Sequence, residues 1–253
     1  MTPRQQFIAF KTILVKEVLR FIRIWIQTVL PPVITTALYF IIFGNLIGSQ
    51  IGAMDGFRYM DYIVPGLIMM AVITNSYANV VSSFFSAKFQ RNIEEMLVSP
   101  VPNYLILLGY IGGGLARGLS VGLAVTIVAM LFTPIPLHNL WVAISVLFLT
   151  SILFSLGGLI NAIYAKNFDH ISIIPTFVLT PLTYLGGVFY SVEMLPPFWQ
   201  DVSLANPILY MVNAFRYGLL GVSDVHLGVA YLAIIGFIAA LFGFALHLLN
   251  RGQ

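Results

Sequence analysis

Few residues of this chain have the types and spacing that catalysis or nucleotide binding requires. The phosphate-binding pattern G-x-x-x-x-G-K-[ST] needs a Gly-Lys pair, and the sequence contains none. None of the four histidines stands three or four residues from another histidine or a carboxylate. The chain has no cysteine and neither a G-x-S-x-G nor an H-E-x-x-H pattern. We therefore predict a protein that has no ATPase, metal or catalytic site of its own.

One charged residue, Arg117, stands deep within an apolar run. It lies roughly 20 Å along a helix axis from Tyr104, directly after the run Gly112-Gly113-Gly114. A buried arginine in a membrane needs a partner, backbone carbonyls or water. Two roles stay open for it: contact with an anionic group of a substrate, or a brace between helices or at a dimer seam. The glycines favour close helix packing, with a hinge as the alternative.

The composition places these residues in a membrane protein. Of the 253 residues, 59% are apolar and 8% are charged, whereas soluble domains carry about 25% charged residues. The apolar residues must therefore face lipid as well as each other. We predict an all-α polytopic fold with six transmembrane helices. Their approximate bounds are 25–47, 59–84, 104–132, 140–164, 171–190 and 227–249.

The segment 1–24 precedes the first apolar run and has the periodicity of an amphipathic helix. Its polar and basic residues, which include Lys16, Arg20 and Arg23, recur at steps of three and four, and apolar residues recur on the other side. Such a helix suits the membrane interface, where its cations meet anionic headgroups. The alternative is a helix that packs on a soluble partner.

The basic residues predict the orientation in the membrane. Most of the twelve lysines and arginines fall in segments on one side, and the opposite side carries Arg58, with Arg216 as a further candidate, beside acidic residues. The positive-inside rule then places both termini in the cytoplasm. The acidic residues expected on the outer side are Asp55, Glu193, Asp201 and Asp224.

The segment 191–226 is too polar and too often interrupted by proline for a simple span. Asn206-Pro207 offers an N-cap followed by proline, and Gly221 offers a stop, so we predict a fourteen-residue helix about 21 Å long. Pro196-Pro197-Phe198-Trp199 is a second candidate helix start. We interpret the segment as one or two re-entrant half-helices on the outer side. The alternative is an outer loop with a single surface helix.

The segment 85–103 carries charges of both signs and then stops at proline, which indicates a short helix on the cytoplasmic surface. Together with other motifs it resembles the type-2 ABC exporter permeases. Glu94-Glu95-Met-Leu-Val-Ser-Pro is similar to the coupling helix of that family, and four further motifs are similar to its C-terminal signature in the same order. These motifs are PLTYLGGVFY at 181–190, LPPFW at 195–199, NPILY at 206–210 and FRYG at 215–218. The resemblance covers essentially the whole chain and points to the YadH-like inner-membrane permease group of bacteria.

The resemblance implies a single permease domain over residues 1–253 without a nucleotide-binding domain. The permease would form a homodimer in the bacterial inner membrane and would bind two copies of a separate ATP-binding subunit, which holds ATP and Mg. The coupling residues would be Arg91, Glu94, Glu95 and Met96, with Lys16, Arg20 and Arg23 as an N-terminal interface. The half-helices in 191–226 would close the outer end of the path. Candidate path or gate residues are Arg117, Asn161, Phe189, Tyr190, Phe198, Trp199, Asn206 and Arg216.

The implied function is the export of a hydrophobic or amphipathic compound, such as a lipid, a glycan or a drug-like molecule. Membrane lipids are expected as partners, and nucleic acid is not. A stand-alone secondary carrier or channel is one alternative, although the apolar runs nearly lack the acidic residues that ion-coupled carriers use. A non-transporting membrane scaffold is the other. The polar residues in the runs serve either interhelical hydrogen bonds or a polar stripe along a path: Asn75, Asn79, Asn161, Thr180 and Thr183.

Overall fold

The computed structural model describes residues 1–54 and 56–251. Asp55, which we expected on the outer side, lies outside the described residues. The fold is all-α. The described residues also form two strands of two residues each, β1 (Ala53–Met54) and β2 (Phe57–Arg58), which pair as an antiparallel hairpin. The helices are α1 (Pro3–Arg23), α2 (Trp25–Tyr39), α3 (Gly48–Ile51), α4 (Tyr59–Phe89), α5 (Asn92–Val98), α6 (Asn103–Met130), α7 (Leu140–Tyr164), α8 (His170–Ile174), α9 (Thr180–Tyr184), α10 (Pro197–Leu204), α11 (Pro207–Leu220) and α12 (Leu227–Arg251).

Within the described residues, five helical segments are long and apolar enough to cross a membrane: Trp25–Gly44, Tyr59–Phe89, Asn103–Met130, Leu140–Tyr164 and Leu227–Arg251. They correspond to five of the six predicted spans. The remaining one, expected at 171–190, is a shorter helical stretch in which a π-helical turn (Pro175–Leu179) joins α8 to α9. The stretch ends at Tyr184, six residues before the predicted end. Its prolines remove backbone donors, which accounts for the irregular turn. A sixth span stays a prediction.

Helix α4 is the centre of the bundle. It packs against α6, α7 and α11, and α12 packs on the far side of α7. Most of its side chains are buried, including the fully enclosed Ile63, Ile68, Ile73 and Val80. Helix α2 packs mainly against α6 and touches α4 little. A gap therefore remains between α2 and α4.

Helix α6 carries glycines on two of its sides. A methyl group at Gly113 would lie 2.5 Å from Cβ of Glu17 in α1, and one at Gly118 would lie 1.9 Å from Oγ of Ser76 in α4. A methyl group at Gly114 would lie 2.2 Å from Oγ of Ser155 in α7. Such distances leave no room for a side chain, so α6 shows the close helix packing that its glycine run predicts.

Helix α1 runs alongside the first half of α6 and in the same direction. The Tyr104 hydroxyl donates to Oε1 of Gln6 (3.4 Å), and Ile13 packs over Gly109. The helix begins with a reciprocal capping box between Thr2 and Gln5 and ends at Arg23, as the periodicity of 3–24 predicts. Its first residues, α5, the start of α6 and the end of α12 share one end of the bundle, which we name the α5 end.

The helix predicted after Asn206 is confirmed with the expected bounds. The Asn206 side chain accepts a hydrogen bond from the amide of Ile208 (3.0 Å), proline occupies the first turn, and Gly221 stops the helix with φ +82°. Nearly all side chains of α11 are buried, because α4, α7 and α12 surround it. It is therefore a core helix, whereas the shorter α10 before it is largely exposed.

Candidate functional site

A cleft of about 320 Å³ opens between α2, α4 and α6. Each of the three helices contributes polar side chains to the lining. These are Gln27 and Thr35 of α2, Thr74 and Asn75 of α4, and Arg117 of α6. Asn75 and Arg117 lie near the middle of their helices, so the cleft sits at mid-height in the bundle. The remaining lining residues are Thr28, Pro31, Pro32, Thr36, Tyr39, Leu67, Met70, Ala71 and Ala78.

The proline pair in α2 removes two helical hydrogen bonds from residues that line this cleft. Pro31 and Pro32 stand inside the helix, where each lacks the amide that would donate to the carbonyl four residues earlier. Those carbonyls belong to Gln27 and Thr28, which both line the cleft. The wall formed by α2 therefore offers carbonyl and hydroxyl oxygens within an apolar bundle.

Arg117 is the charged group of the cleft. Its Nη2 donates to Oδ1 of Asn75 (3.0 Å). Its Nε is enclosed and has no hydrogen-bond partner in the part of the chain that the structure describes. Among the described residues, no carboxylate forms an ion pair with it. The guanidinium therefore keeps an uncompensated positive charge and unused donor capacity.

A second polar cluster lies one turn along α4. Nη2 of Arg20 donates to both the carbonyl and Oδ1 of Asn79, each at 2.8 Å. Glu17 is fully buried (0% exposed), with its carboxylate 3.6 Å from Nε of Arg20 and 3.8 Å from Nζ of Lys16. Two cations and one carboxylate of α1 thus pair with each other and with Asn79. The basic face of α1 is in part directed into the bundle, while Arg23 remains exposed.

Sequence reasoning missed Glu17. The available signal was a single acid in a basic helix, three residues before Arg20. Its burial depends on Gly113, which leaves space for the Glu17 side chain on α6.

Aromatic side chains close one end of the cleft. The ring of Tyr39, a lining residue, lies 5.7 Å from the rings of both Phe43 and Phe189. Phe189 also stacks with Tyr184 at 6.0 Å. The Tyr59 hydroxyl donates to the Phe189 carbonyl (3.1 Å) and fixes its place. Of the predicted path residues, Phe189 is thus next to the cleft and Arg117 lines it.

Two other path candidates hold α9 and the turn after it against α11. Arg216 is fully buried (0% exposed), with its guanidinium carbon 4.0 Å from the ring centroid of Tyr62, and Nη2 donates to the Gly187 carbonyl. Nδ2 of Asn206 donates to the Leu182 carbonyl (2.6 Å). Both residues lie away from the cleft lining and stabilise the packing of α11.

The remaining candidates lie elsewhere. Asn161 of α7 donates to the Ile171 carbonyl at the start of α8 (3.2 Å). Tyr190 is half-buried in the turn after α9. Phe198 and Trp199 are exposed neighbours on α10, with ring centroids 5.3 Å apart. The structure does not bring these four together with Arg117.

Helix α5 presents acidic residues at its own end of the bundle. Arg91 makes the reversal between α4 and α5 with a left-handed backbone (φ +62°). Ile93 is buried and anchors the helix, whereas Glu94 and Glu95 are exposed and Met96 is half-buried. Two apolar side chains beside them are also exposed, Phe89 and the 86% exposed Val98. The α5 end therefore offers a mixed acidic and apolar surface.

Comparison with known proteins gives consistent matches. The family described as ABC-2 type transporter matches residues 8–220. The chain is 60% identical over 248 residues to the inner membrane transport permease YadH of Escherichia coli (strain K12), which covers 98% of this chain and 96% of that protein. It is 25% identical over 209 residues to nodulation protein J of Rhizobium meliloti (strain 1021), which covers 82% of this chain and 80% of that protein.

Proposed function

The chain belongs to the ABC-2 type transporter family, and from that premise we propose that it is the transmembrane permease subunit of an ATP-powered exporter. It translocates a hydrophobic or amphipathic compound (a lipid, a glycan or a drug-like molecule) across the bacterial inner membrane. A separate ATP-binding subunit, present in two copies, holds ATP and Mg and performs the hydrolysis. The observation that carries the proposal is the family match across most of the chain.

Energy enters through α5 in this proposal. Arg91, Glu94, Glu95 and Met96 dock on the ATP-binding subunit. The N-terminal interface keeps the exposed Lys16 and Arg23, whereas Arg20 is bonded to Asn79 inside the bundle and is not available for docking. The exposed carboxylates of α5 and its buried anchor Ile93 support this role, because a force on the helix is transmitted to α4, against which α5 packs. Helix α4 lines the cleft. ATP binding would then favour one of two packings of the bundle.

The cleft at Arg117 is part of the translocation path, and a second copy of the chain completes it. The helical stretch from α8 to α9 supports a homodimer, because it is exposed on most of its surface, with Phe177 74% exposed. It is the sixth span in this proposal and faces the second copy. Helices α10 and α11 are the re-entrant pieces that close the outer end, and the burial of α11 supports this over a surface helix. Both termini are cytoplasmic, as the distribution of basic residues indicates.

The docking surface is tested by reversing its charge. The first step is to establish whether the neighbouring reading frame encodes a soluble protein with a G-x-x-x-x-G-K-[ST] loop, and to co-express that protein with the tagged chain. We expect Glu94→Arg with Glu95→Arg to abolish its co-purification, while membrane insertion and the elution profile stay unchanged. Glu193→Arg, at an exposed acid of the opposite end, is the matched control and should co-purify normally.

Unchanged co-purification of the double variant would refute the docking assignment. Two further outcomes would favour other functions. Transport by the purified chain alone, driven by an ion gradient, would indicate a secondary carrier or channel. A stable complex in which no substrate stimulates ATP hydrolysis would indicate a scaffold.

A further inference from the structure

The cleft holds one positive charge that the described part of the chain does not neutralise, and this charge specifies what the cleft accepts. We infer that Arg117 binds the anionic group of an amphipathic substrate, whose apolar part lies along α2 and α4. The inference rests on the proposed function, because it assigns the substrate class of the same cleft. It names the chemistry of the recognised group, a phosphate or carboxylate attached to an apolar body.

The distribution of charges supports this assignment. The buried carboxylate nearest to the cleft belongs to Glu17, and it is already paired with Arg20 and Lys16. Among the described residues, Arg117 has one side-chain hydrogen bond, to the neutral Asn75, and no carboxylate pairs with it. An arginine at mid-height in a membrane bundle is costly unless an anion or water compensates it. An anionic ligand supplies both the opposite charge and the acceptors that are missing.

A purely bracing role leaves part of this arrangement unexplained. A brace between α6 and α4 uses the single bond from Nη2 of Arg117 to Asn75. A planar guanidinium has five donors and commonly binds carboxylate or phosphate with two parallel hydrogen bonds. Nε of Arg117 is enclosed by protein atoms, so an anion in the cleft would be bound through the Nη groups of the guanidinium.

The size and lining of the cleft favour an amphipathic ligand over a small ion. Its volume of about 320 Å³ lies within the range of ligand pockets and exceeds the space that one phosphate needs. Hydroxyls of Thr35 and Thr74 stand on the same walls as the apolar side chains of Leu67 and Met70. The aromatic cluster around Phe189 extends the apolar surface at one end. A charged head and an apolar body would therefore each meet matching side chains.

Native mass spectrometry of the purified full-length chain tests the inference without the ATP-binding subunit. The chain is mixed with equal amounts of phosphatidylglycerol and diacylglycerol, which has identical acyl chains but no anionic group, and the ratio of the two in the first bound lipid is measured. We expect the wild type to prefer phosphatidylglycerol. Arg117→Gln should lower that preference about tenfold, because a charge-assisted hydrogen bond is lost. Arg117→Lys should retain most of it.

Asn75→Asp is the sharper variant, because it keeps the shape of the side chain and places a carboxylate 3.0 Å from Nη2 of Arg117. The internal ion pair should abolish the preference for phosphatidylglycerol while the chain elutes as the wild type does. Lys166→Gln removes an exposed cation between α7 and α8, outside the cleft, and should leave the lipid ratio unchanged. Millimolar inorganic phosphate should not displace the bound lipid, since it lacks the apolar part.

An equal lipid ratio in wild type, Asn75→Asp and Arg117→Gln would overturn the assignment. Displacement of the lipid by inorganic phosphate would overturn the amphipathic part of it. Because the measurement uses the chain alone, its failure leaves the docking of the ATP-binding subunit untouched. Loss of co-purification would likewise leave the lipid preference unaffected.

Discussion

The pairing of Glu17 with Arg20 predicts a non-additive response to mutation. Arg20→Met removes the guanidinium but keeps an apolar stem, and it leaves the fully buried carboxylate of Glu17 with Lys16 alone, 3.8 Å away. The two hydrogen bonds to Asn79 are lost as well. Stranding one member of a buried ion pair costs about 3–5 kcal/mol. Because Arg20 is 29% exposed, we expect a loss of about 3 kcal/mol, at the lower bound of that range.

The double variant Glu17→Gln with Arg20→Met leaves no buried charge without an opposite charge beside it. We expect it to lose only about 1 kcal/mol, because replacing both members of a buried pair is often nearly neutral. The difference gives a coupling free energy of roughly 2 kcal/mol in a double-mutant cycle. Glu17→Gln alone should be mild, since the glutamine has nearly the same shape and Arg20 keeps its bonds to Asn79.

The assay is the temperature at which half of the monodisperse elution peak of the detergent-purified chain is lost after heating. A loss of 3 kcal/mol corresponds to a shift of roughly 10 °C for a chain of this size. Arg23→Met is the matched control, because Arg23 is an exposed cation on the same helix, and it should shift the midpoint little. The reasoning is refuted if Arg20→Met unfolds at the wild-type temperature, or if the double variant is as unstable as Arg20→Met.

Two further predictions concern packing and orientation. Gly158→Ala should be strongly destabilising in the same heating assay, because its methyl group would lie 2.5 Å from a backbone oxygen of α4. Gly236→Ala is the control: its methyl group would meet no described atom within 4 Å, so it should be neutral or slightly stabilising. Equal midpoints for the two variants would contradict the packing. A protease site placed after the C-terminal residue should be cleaved only from the cytoplasmic side of sealed vesicles, and cleavage from outside would contradict the proposed orientation.

The long helices could be predicted because an apolar run of about 20 residues has few stable alternatives in a membrane. The bounds of α11 could be predicted because an asparagine cap, a proline and a glycine stop act through their own side chains and backbone. The end of the helical stretch from α8 to α9 was harder to predict from the sequence. Its end at Tyr184 precedes a turn in which Gly187 has φ +71°, and a Gly-Gly pair within an apolar run did not reveal that turn.

The candidate site could be predicted only in part. Arg117 was identifiable from its charge and its position in an apolar run. The cleft around Arg117 was not identifiable. It forms because α2 packs on α6 and leaves part of α4 uncovered, and the position of α2 depends on the packing of the whole bundle. The role of Arg216 and the second contact of Asn206 were equally hidden, since their partners are backbone carbonyls distant in sequence, Gly187 in the turn after α9 and Leu182 in α9.

The row of residues at which α6 meets α1 has a mechanical consequence. Every fourth residue along it reads Leu105, Gly109, Gly113 and Arg117, and only the two glycines leave space for the side chains of α1. A slip of α1 by one turn toward the α5 end would bring Ile13 onto Leu105. A slip the other way would move Ile13 into the space over Gly113 and break the hydrogen bonds of Arg20 to Asn79. The two helices are therefore held at a single relative height and must shift as one rigid body. Any displacement of α1 at the α5 end would therefore move Arg117 as well. Among the described lining residues, Arg117 is the one cation of the cleft.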